Sequence, residues 1–409
     1  GPVSLTEVQI LNNRTADGSD ERWDEEGAGS GGSGGGARIS AASLQILSSA
    51  ILDNATGSGG DADGLAGQGG NGGGLLFNGV SLLVQNSTFA RNATGNGGTA
   101  DDFASGGRGG DGGGLHASSS TGDLVIESST FSGNTTGAGG AGDVAPDGRG
   151  GHGGAISAYG PLQVRHSTIV SNAVARLDDD APSALGGGLY STTSIAIENS
   201  IVVGNQNAGA PDDCSGATTA SFLLSSTDTG CPMGGPGALA VAPSDVFVTI
   251  LEPLQDTGGP TPTHTLLPSS PAIDAGDCPL ESTDQRGFPR PVDDPNTPDA
   301  SNGCDIGATE TQEGFVVRAS DDGPIEAGGL ALSLAPNPAT GPASVSLRAE
   351  PGERVTVEVL DVRGRRIRVL HEGAVPPDGL ALRVDGLPTG VYLVRAVTDT
   401  ATTSTRLTV

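Results

Sequence analysis

Six asparagines constrain what this chain can fold into. Aligned on Asn13, Asn54, Asn92, Asn134, Asn172 and Asn205, the sequence falls into columns. Three residues upstream stand Ile10, Ile51, Phe89, Phe131, Ile169 and Val202. Five upstream stand Val8, Ser49, Ser87, Ser129, Ser167 and Ser200. Eight upstream come Leu5, Ile46, Val84, Ile126, Val164 and Ile197, with another apolar column two residues further back. Apolar positions separated by two occupy one face of a strand. The same face in six copies requires strands stacked in register, each rung about 4.8 Å from the next. The expected fold is therefore all-β, a right-handed parallel β-helix of about eight coils. Its stacked asparagines would form a hydrogen-bonded ladder at a turn.

Successive asparagines are 41, 38, 42, 38 and 33 residues apart. The repeating body needs only about 20 to 26 residues per coil, so the excess must loop outward. The excursions read "GSGGDADGLAGQGGN", "GNGGTADDFASGGRGGD" and "GAGGAGDVAPDGRGG", and they leave from equivalent corners. With 69 glycines and only 3% aromatic residues, large side chains cannot fill a thick globular core, but a thin column of aliphatics suffices for stacked coils. The glycine loops are either floppy or ordered against one another as extended, polyproline-II-like strands.

Charge is unevenly distributed. All 20 basic residues are Arg. Residues 330–409 hold nine Arg and eight acidic residues, a net of +1, which leaves 11 Arg and 40 acidic residues, a net of -29, in the preceding 329. Acidity confined to one part has a local cause, such as cation binding or a hydrated surface. Nucleic acid as a partner is excluded, because phosphate contacts need clustered cations. Without Lys there is no Schiff-base chemistry. The four cysteines, Cys214, Cys231, Cys278 and Cys304, show no zinc-type CxxC spacing. Their even number reads as two disulfides, most simply Cys214–Cys231 and Cys278–Cys304 among three pairings, and implies an exported protein. No apolar run approaches the roughly 18 residues of a membrane span. No charged and apolar leader opens the chain, so a signal peptide is expected to have been removed already.

Three resemblances rest on motifs in the chain. "GGAI" at Gly153–Ile156, its variants "GGGL", and "FARN" and "FSGN" resemble the GGAI and FxxN motifs of polymorphic outer-membrane protein repeats. Downstream, "LEPLQDTGGPTPTHTLLPSSPAIDAGDC", "DQRGFPRP" and "CDIGATE" resemble the closing segment of a broad bacterial β-helix family with varied C-terminal anchors. Together they span residues 1–310 and imply an exported surface protein without implying one activity. From Leu330 onward, alternating strands are separated by Gly, Pro and Asp turns. The order Pro336-Asn337-Pro338, then Asp361-x-x-Gly364-Arg365, then Leu-Pro-x-Gly390-x-Tyr392 resembles the type IX secretion sorting domain of Bacteroidota. That resemblance implies an Ig-like β-sandwich over 330–409 that the type IX machinery recognises during export. Arg406 stands where the family often carries Lys. Residues 311–329 form the linker.

The glycine motifs are not phosphate loops: no GKS or GKT follows, no helix is expected, and the motif recurs in every coil. The best catalytic constellation is the column seven upstream of the asparagines, where Glu127, Arg165 and Glu198 fall on adjacent rungs with His166 beside them. A polysaccharide lyase or hydrolase would use such carboxylates and a basic residue. The competing and preferred reading is a cross-rung charge ladder. Sugar sites also favour stacking aromatics, and the single Trp, Trp23, lies in the acidic stretch "DERWDEEG". His116, His152 and His264 do not share metal-ligand spacing. Acidic pairs in the loops, Asp61/Asp63, Asp101/Asp102, Asp178–Asp180 and Asp212/Asp213, supply hard oxygens suited to Ca²⁺, against the simpler reading of solvated loops. No other cofactor is indicated. Of the Asn-x-Ser/Thr sequons at Asn13, Asn54, Asn86, Asn92 and Asn134, four are ladder asparagines, which turn structure explains better than glycosylation.

The expectation is a secreted protein of the outer cell surface, structural or adhesive and non-catalytic, with a surface glycan or protein as ligand. Because the sequence opens inside a coil, an uncovered strand edge would favour head-to-tail self-association into an extracellular filament. The alternative is a carbohydrate-active β-helix enzyme.

Overall fold

The strands of each repeat pair in parallel with those of the repeat before and the repeat after. In the computed structural model Ile10 lies beside Ile51, then Phe89, Phe131, Ile169 and Val202 follow rung by rung. The column Leu5, Ile46, Val84, Ile126, Val164 and Ile197 stacks the same way. From Ile46 to Val164 its members have no accessible surface, and each such aliphatic contributes about 1.5–3 kcal/mol by leaving water. Phe89 and Phe131 stack with ring centroids 4.7 Å apart and planes 6° from parallel. The structure describes the chain apart from residues 22–26, 102–103, 120–121, 144, 179–183, 228, 281, 295–296, 313–330, 336–342, 350–351, 362–365, 377–379, 385, 389–390, 399–401 and 409. It is all-β, in two units, Gly1–Val316 and Val317–Val409.

Corners of the first unit repeat as faithfully as its strands. Six residues before each asparagine, Glu7, Ser48, Asn86, Ser128, His166 and Asn199 all take positive φ between 43° and 54°. One residue before it, Asn12, Asp53, Arg91, Gly133, Ser171 and Gly204 do so again. A left-handed residue other than Gly costs roughly 1–2 kcal/mol, and side-chain ladders offset that cost. The backbone N–H groups of Ser49, Ser87, Ser129 and Ser167 each donate to the serine hydroxyl of the next rung at 3.0–3.2 Å. The amides of Asn13, Asn54, Asn92, Asn134 and Asn172 each donate to the Oδ1 of the next asparagine. The ladder ends on a carboxylate: Asn205 donates its backbone N–H and its amide to Asp213 Oδ1 at 3.0 and 2.8 Å.

Outside the strands, the glycine loops are ordered. Hydrogen bonds repeat every third residue, the period of a polyproline-II helix. Thr56, Gly59 and Ala62 donate to Ala93, Asn96 and Thr99 of the next coil, while Gly57 and Gly60 donate to Gly32 and Gly29 of the previous one. Outgoing and returning legs alternate, so a single line of bonds at 2.8–2.9 Å runs Gly148, Gly140, Gly107, Gly98, Gly67, Gly60, Gly29, Ser19. Only glycine permits this spacing. A Cβ on Gly107 would sit 1.9 Å from the carbonyl oxygen of Gly67. At their roots the legs are sewn by Thr56, Thr94 and Thr136, whose hydroxyls donate to Gly70, Gly110 and Gly151.

The segment 251–310 runs back along the side of the stacked strands. It covers the outward face of the short strands Thr88–Ala90, Thr130–Ser132 and Thr168–Val170. Thr88 donates to the carbonyl of Pro262, Thr130 to Gln285, and the amide of Ala308 donates to Thr168. His264 meets Ser132 at 2.9 Å. Val170, Ile201, Leu224, Ile250, Ala272 and Ile306 form the apolar seam under this strap.

The second unit consists of antiparallel sheets of three and four strands. Val345, Leu347 and Val384 from the first pack with Val355, Val357, Val394 and Leu407 from the second in one core.

Candidate functional site

The charged column lies on adjacent rungs. Arg165 pairs in register with Glu127 on one side and Glu198 on the other. Its Nε is 3.6 Å from Glu198, with both side chains about half exposed, and its guanidinium donates to Gln163 at 2.7 Å. Glu127 instead accepts from Gln85 at 3.4 Å. His166 occupies a left-handed corner and accepts from Asn199 at 3.0 Å. Burial, then Arg290 and Arg165, hold its pKa down at about 4. The ring is neutral and turned into a structural contact.

Other sequence candidates take structural duties. Cys214 bonds Cys231 at the start of the strand Cys214–Ser226, and Cys278 bonds Cys304 within the strap. Asp61 is exposed and accepts the backbone N–H of Thr99 at 2.7 Å, while the N–H of Asp63 donates to Glu21. Asp101 is exposed; Asp102, Asp179, Asp180 and Trp23 lie outside the described residues. Among the described residues, the carboxylates that converge within 4.8 Å are Asp274, Asp293 and Asp299 in the strap, a group the sequence did not single out. Burial pushes Asp274 up to about 6. The sequons at Asn54, Asn92 and Asn134 are buried with their threonines, so a glycan has no room there. In the second unit, Asp361 pairs with Tyr392, whose hydroxyl donates to the carbonyl of Pro388. Pro336, Asn337, Pro338, Gly364, Arg365 and Gly390 lie outside the described residues.

One cluster was missed from sequence. Leu115, Ile156 and Leu189 point inward and are fully buried, so strand alternation turns the next residue of each outward. These are His116, Ser157 and Tyr190, neighbours on three consecutive rungs. Tyr159 stands one pleat further along. Its ring lies 5.3 Å from His116 and 6.5 Å from Tyr190, edge-on to the latter. His152 stacks on Tyr190 at 4.3 Å. Two of the three tyrosines and two of the five histidines in the chain thus meet. His116 and His152 thus share an aromatic neighbourhood, while His264 lies apart in the strap.

Asp111 organises this cluster. Its Oδ1 accepts the N–H of His152 at 2.7 Å and both terminal nitrogens of Arg149 at 3.3 Å, and its Oδ2 accepts the Tyr159 hydroxyl at 3.3 Å. His152 Nδ1 accepts from Leu185 N–H, which leaves the proton on Nε2. Burial, reinforced by Arg149, holds His152 down at about 4. Burial, reinforced by Asp111, pushes Tyr159 up to about 12. Burial also lowers His116. Uncharged imidazoles and phenol beside an internal ion pair are suited to binding rather than to proton transfer near neutrality. Two buried atoms, His116 Nδ1 and Ser157 Oγ, make no hydrogen bond to any protein group.

Residues 333–409 match the family described as "Secretion system C-terminal sorting domain". This places a type IX export signal at the C-terminal end and marks the chain as secreted or displayed at a cell surface, as is typical of Bacteroidota. Among curated proteins no relative matches the chain.

Proposed function

We propose that this exported chain serves at the cell surface as a non-catalytic adhesin, its coils wound as a right-handed parallel β-helix and its last unit an Ig-like sandwich read by the type IX machinery. The observation that carries the proposal is the bonded glycine lattice joined to an export signal. Three loop excursions are fixed at both roots and tied to one another by a line of backbone hydrogen bonds, giving a preformed outer layer that loses little entropy on meeting a ligand. The charged column supports the non-catalytic part. Glu127, Arg165 and Glu198 are engaged with Gln85, Gln163 and one another, as in a cross-rung charge ladder.

Cells displaying the full chain test the reading. They adhere to glycan-coated surfaces, and Glu127→Gln and Arg165→Ala leave adhesion unchanged. Loss of adhesion in either variant with folding intact, or release of cleaved saccharide from the surface by the unmodified chain, would replace the adhesin by the enzyme.

A further inference from the structure

We infer that the outward cluster of His116, Ser157, Tyr159 and Tyr190, framed by Asp111, Arg149 and His152, is a binding site for an uncharged saccharide ring. The inference deepens the adhesin reading and rests on it for its biological sense, but the site stands on its own geometry.

Three observations point to a saccharide. Aromatic faces are scarce in this chain, yet two tyrosine rings are brought edge-on at 6.5 Å on one outward face, and Tyr159, 36% accessible, is the solvent-facing member. A pyranose presents C–H groups on one face and hydroxyls at its rim, which suits an aromatic platform bordered by planar polar groups. Asp111 and Arg149 supply that border, an acceptor and a donor held in fixed positions by their own pairing. The third observation is the pair of orphaned atoms. Buried polar groups in folded proteins are almost always hydrogen-bonded, and an exception calls for a partner. His116 Nδ1 and Ser157 Oγ belong to side chains at least 92% buried, on paired positions of adjacent rungs. Neither atom is accessible to solvent, so a sugar hydroxyl, which donates and accepts at once, satisfies them as the ring of Tyr159, 5.3 Å from His116, shifts aside.

Charge decides between classes of saccharide. The first 329 residues carry a net of -29, which repels polyuronates and sulfated glycans over the whole approach. The Arg149 guanidinium, the cation built into the cluster, is paired with Asp111 at 3.3 Å and donates to the carbonyl of Gly150 at 2.6 Å. The ligand is therefore a neutral saccharide.

Isothermal titration of the full chain with cellohexaose, maltohexaose, mannohexaose and laminarihexaose tests this, with polygalacturonate as the charged control. At least one neutral hexaose binds and polygalacturonate does not. Tyr159→Ala weakens binding roughly tenfold or more, and Tyr159→Phe, which keeps the ring, stays within about threefold of the unmodified chain. Tyr159 is partly exposed, so unchanged circular dichroism is expected for both variants. Failure of all four neutral sugars to bind, preference for polygalacturonate, or full-strength binding by Tyr159→Ala would each overturn the site. Adherent cells with no oligosaccharide binding would sink the site and leave the adhesin; oligosaccharide binding by cells that do not adhere would do the reverse.

Discussion

At the scale of residues, stability in the first unit rests on polar side chains that repeat. Asn134 is fully buried, accepts two hydrogen bonds from Asn92, and donates to Asn172 and to the carbonyl of Phe89. Asn134→Ala strands those groups inside the stack and is expected to cost roughly 3 kcal/mol, measurable by urea denaturation. Asp213 ends the ladder and is pushed up by burial, the consequence of placing a carboxylate where another asparagine would continue the series. His264 gives a pH signature. Burial holds its pKa at about 4, below the ordinary 6.5 of the unfolded chain. Above pH 6.5 it has no effect; as pH falls towards 4 the unfolded chain takes up a proton that the folded one refuses, so stability is lost. His264→Gln should therefore lose about 2 kcal/mol less than the unmodified chain between pH 6.5 and 4.5, read from denaturation at both values.

At the scale of elements, the glycine legs and the strap carry opposite lessons. In the legs, Gly107→Ala drives a methyl into the Gly67 carbonyl and is expected to cost about 3 kcal/mol, whereas Gly64→Ala, with nothing within 4 Å of the added carbon, stays within about 0.5 kcal/mol. Thermal melts of the two variants side by side check this. Replacing Cys278 and Cys304 together by Ser frees a long loop in the strap and costs about 3 kcal/mol, with faster amide exchange expected at Ala308, which donates to Thr168. The repeating strands are visible in the sequence because each rung meets the same neighbours and so keeps the same residue types. The left-handed corners are not, because Glu7, Ser48, Asn86, Ser128, His166 and Asn199 share a conformation but no chemistry. The strap has no period to betray it. The tyrosine–histidine cluster is hidden by the choice of origin. Counted upstream from the asparagines, Ser157 and Tyr190 both stand fifteen residues back, but His116 stands eighteen back because its repeat carries a longer turn, and the column breaks there. Counted from the glycine turns at Gly112, Gly153 and Gly186, each is the fourth residue on, and the three fall in line.

At the scale of the whole molecule, export and display are written in different units. Removing residues 333–409 takes away the region that matches the sorting domain, and the truncated product should accumulate in the periplasm instead of reaching the surface, as fractionation and whole-cell protease treatment would show. The first unit has its own cores, so the retained protein should remain folded. The lattice of legs has a further consequence for how such a molecule changes over time. Its roots keep a fixed phase: Gly60, Gly98 and Gly140 each stand six residues after their asparagine, and Gly67, Gly107 and Gly148 each stand five before the next left-handed glycine. Only the tips between them vary in length. New sequence can enter at a tip without disturbing a single rung, which makes the molecule a ready carrier for grafted peptides. Each graft would be held at both ends by neighbours that do not need to change with it.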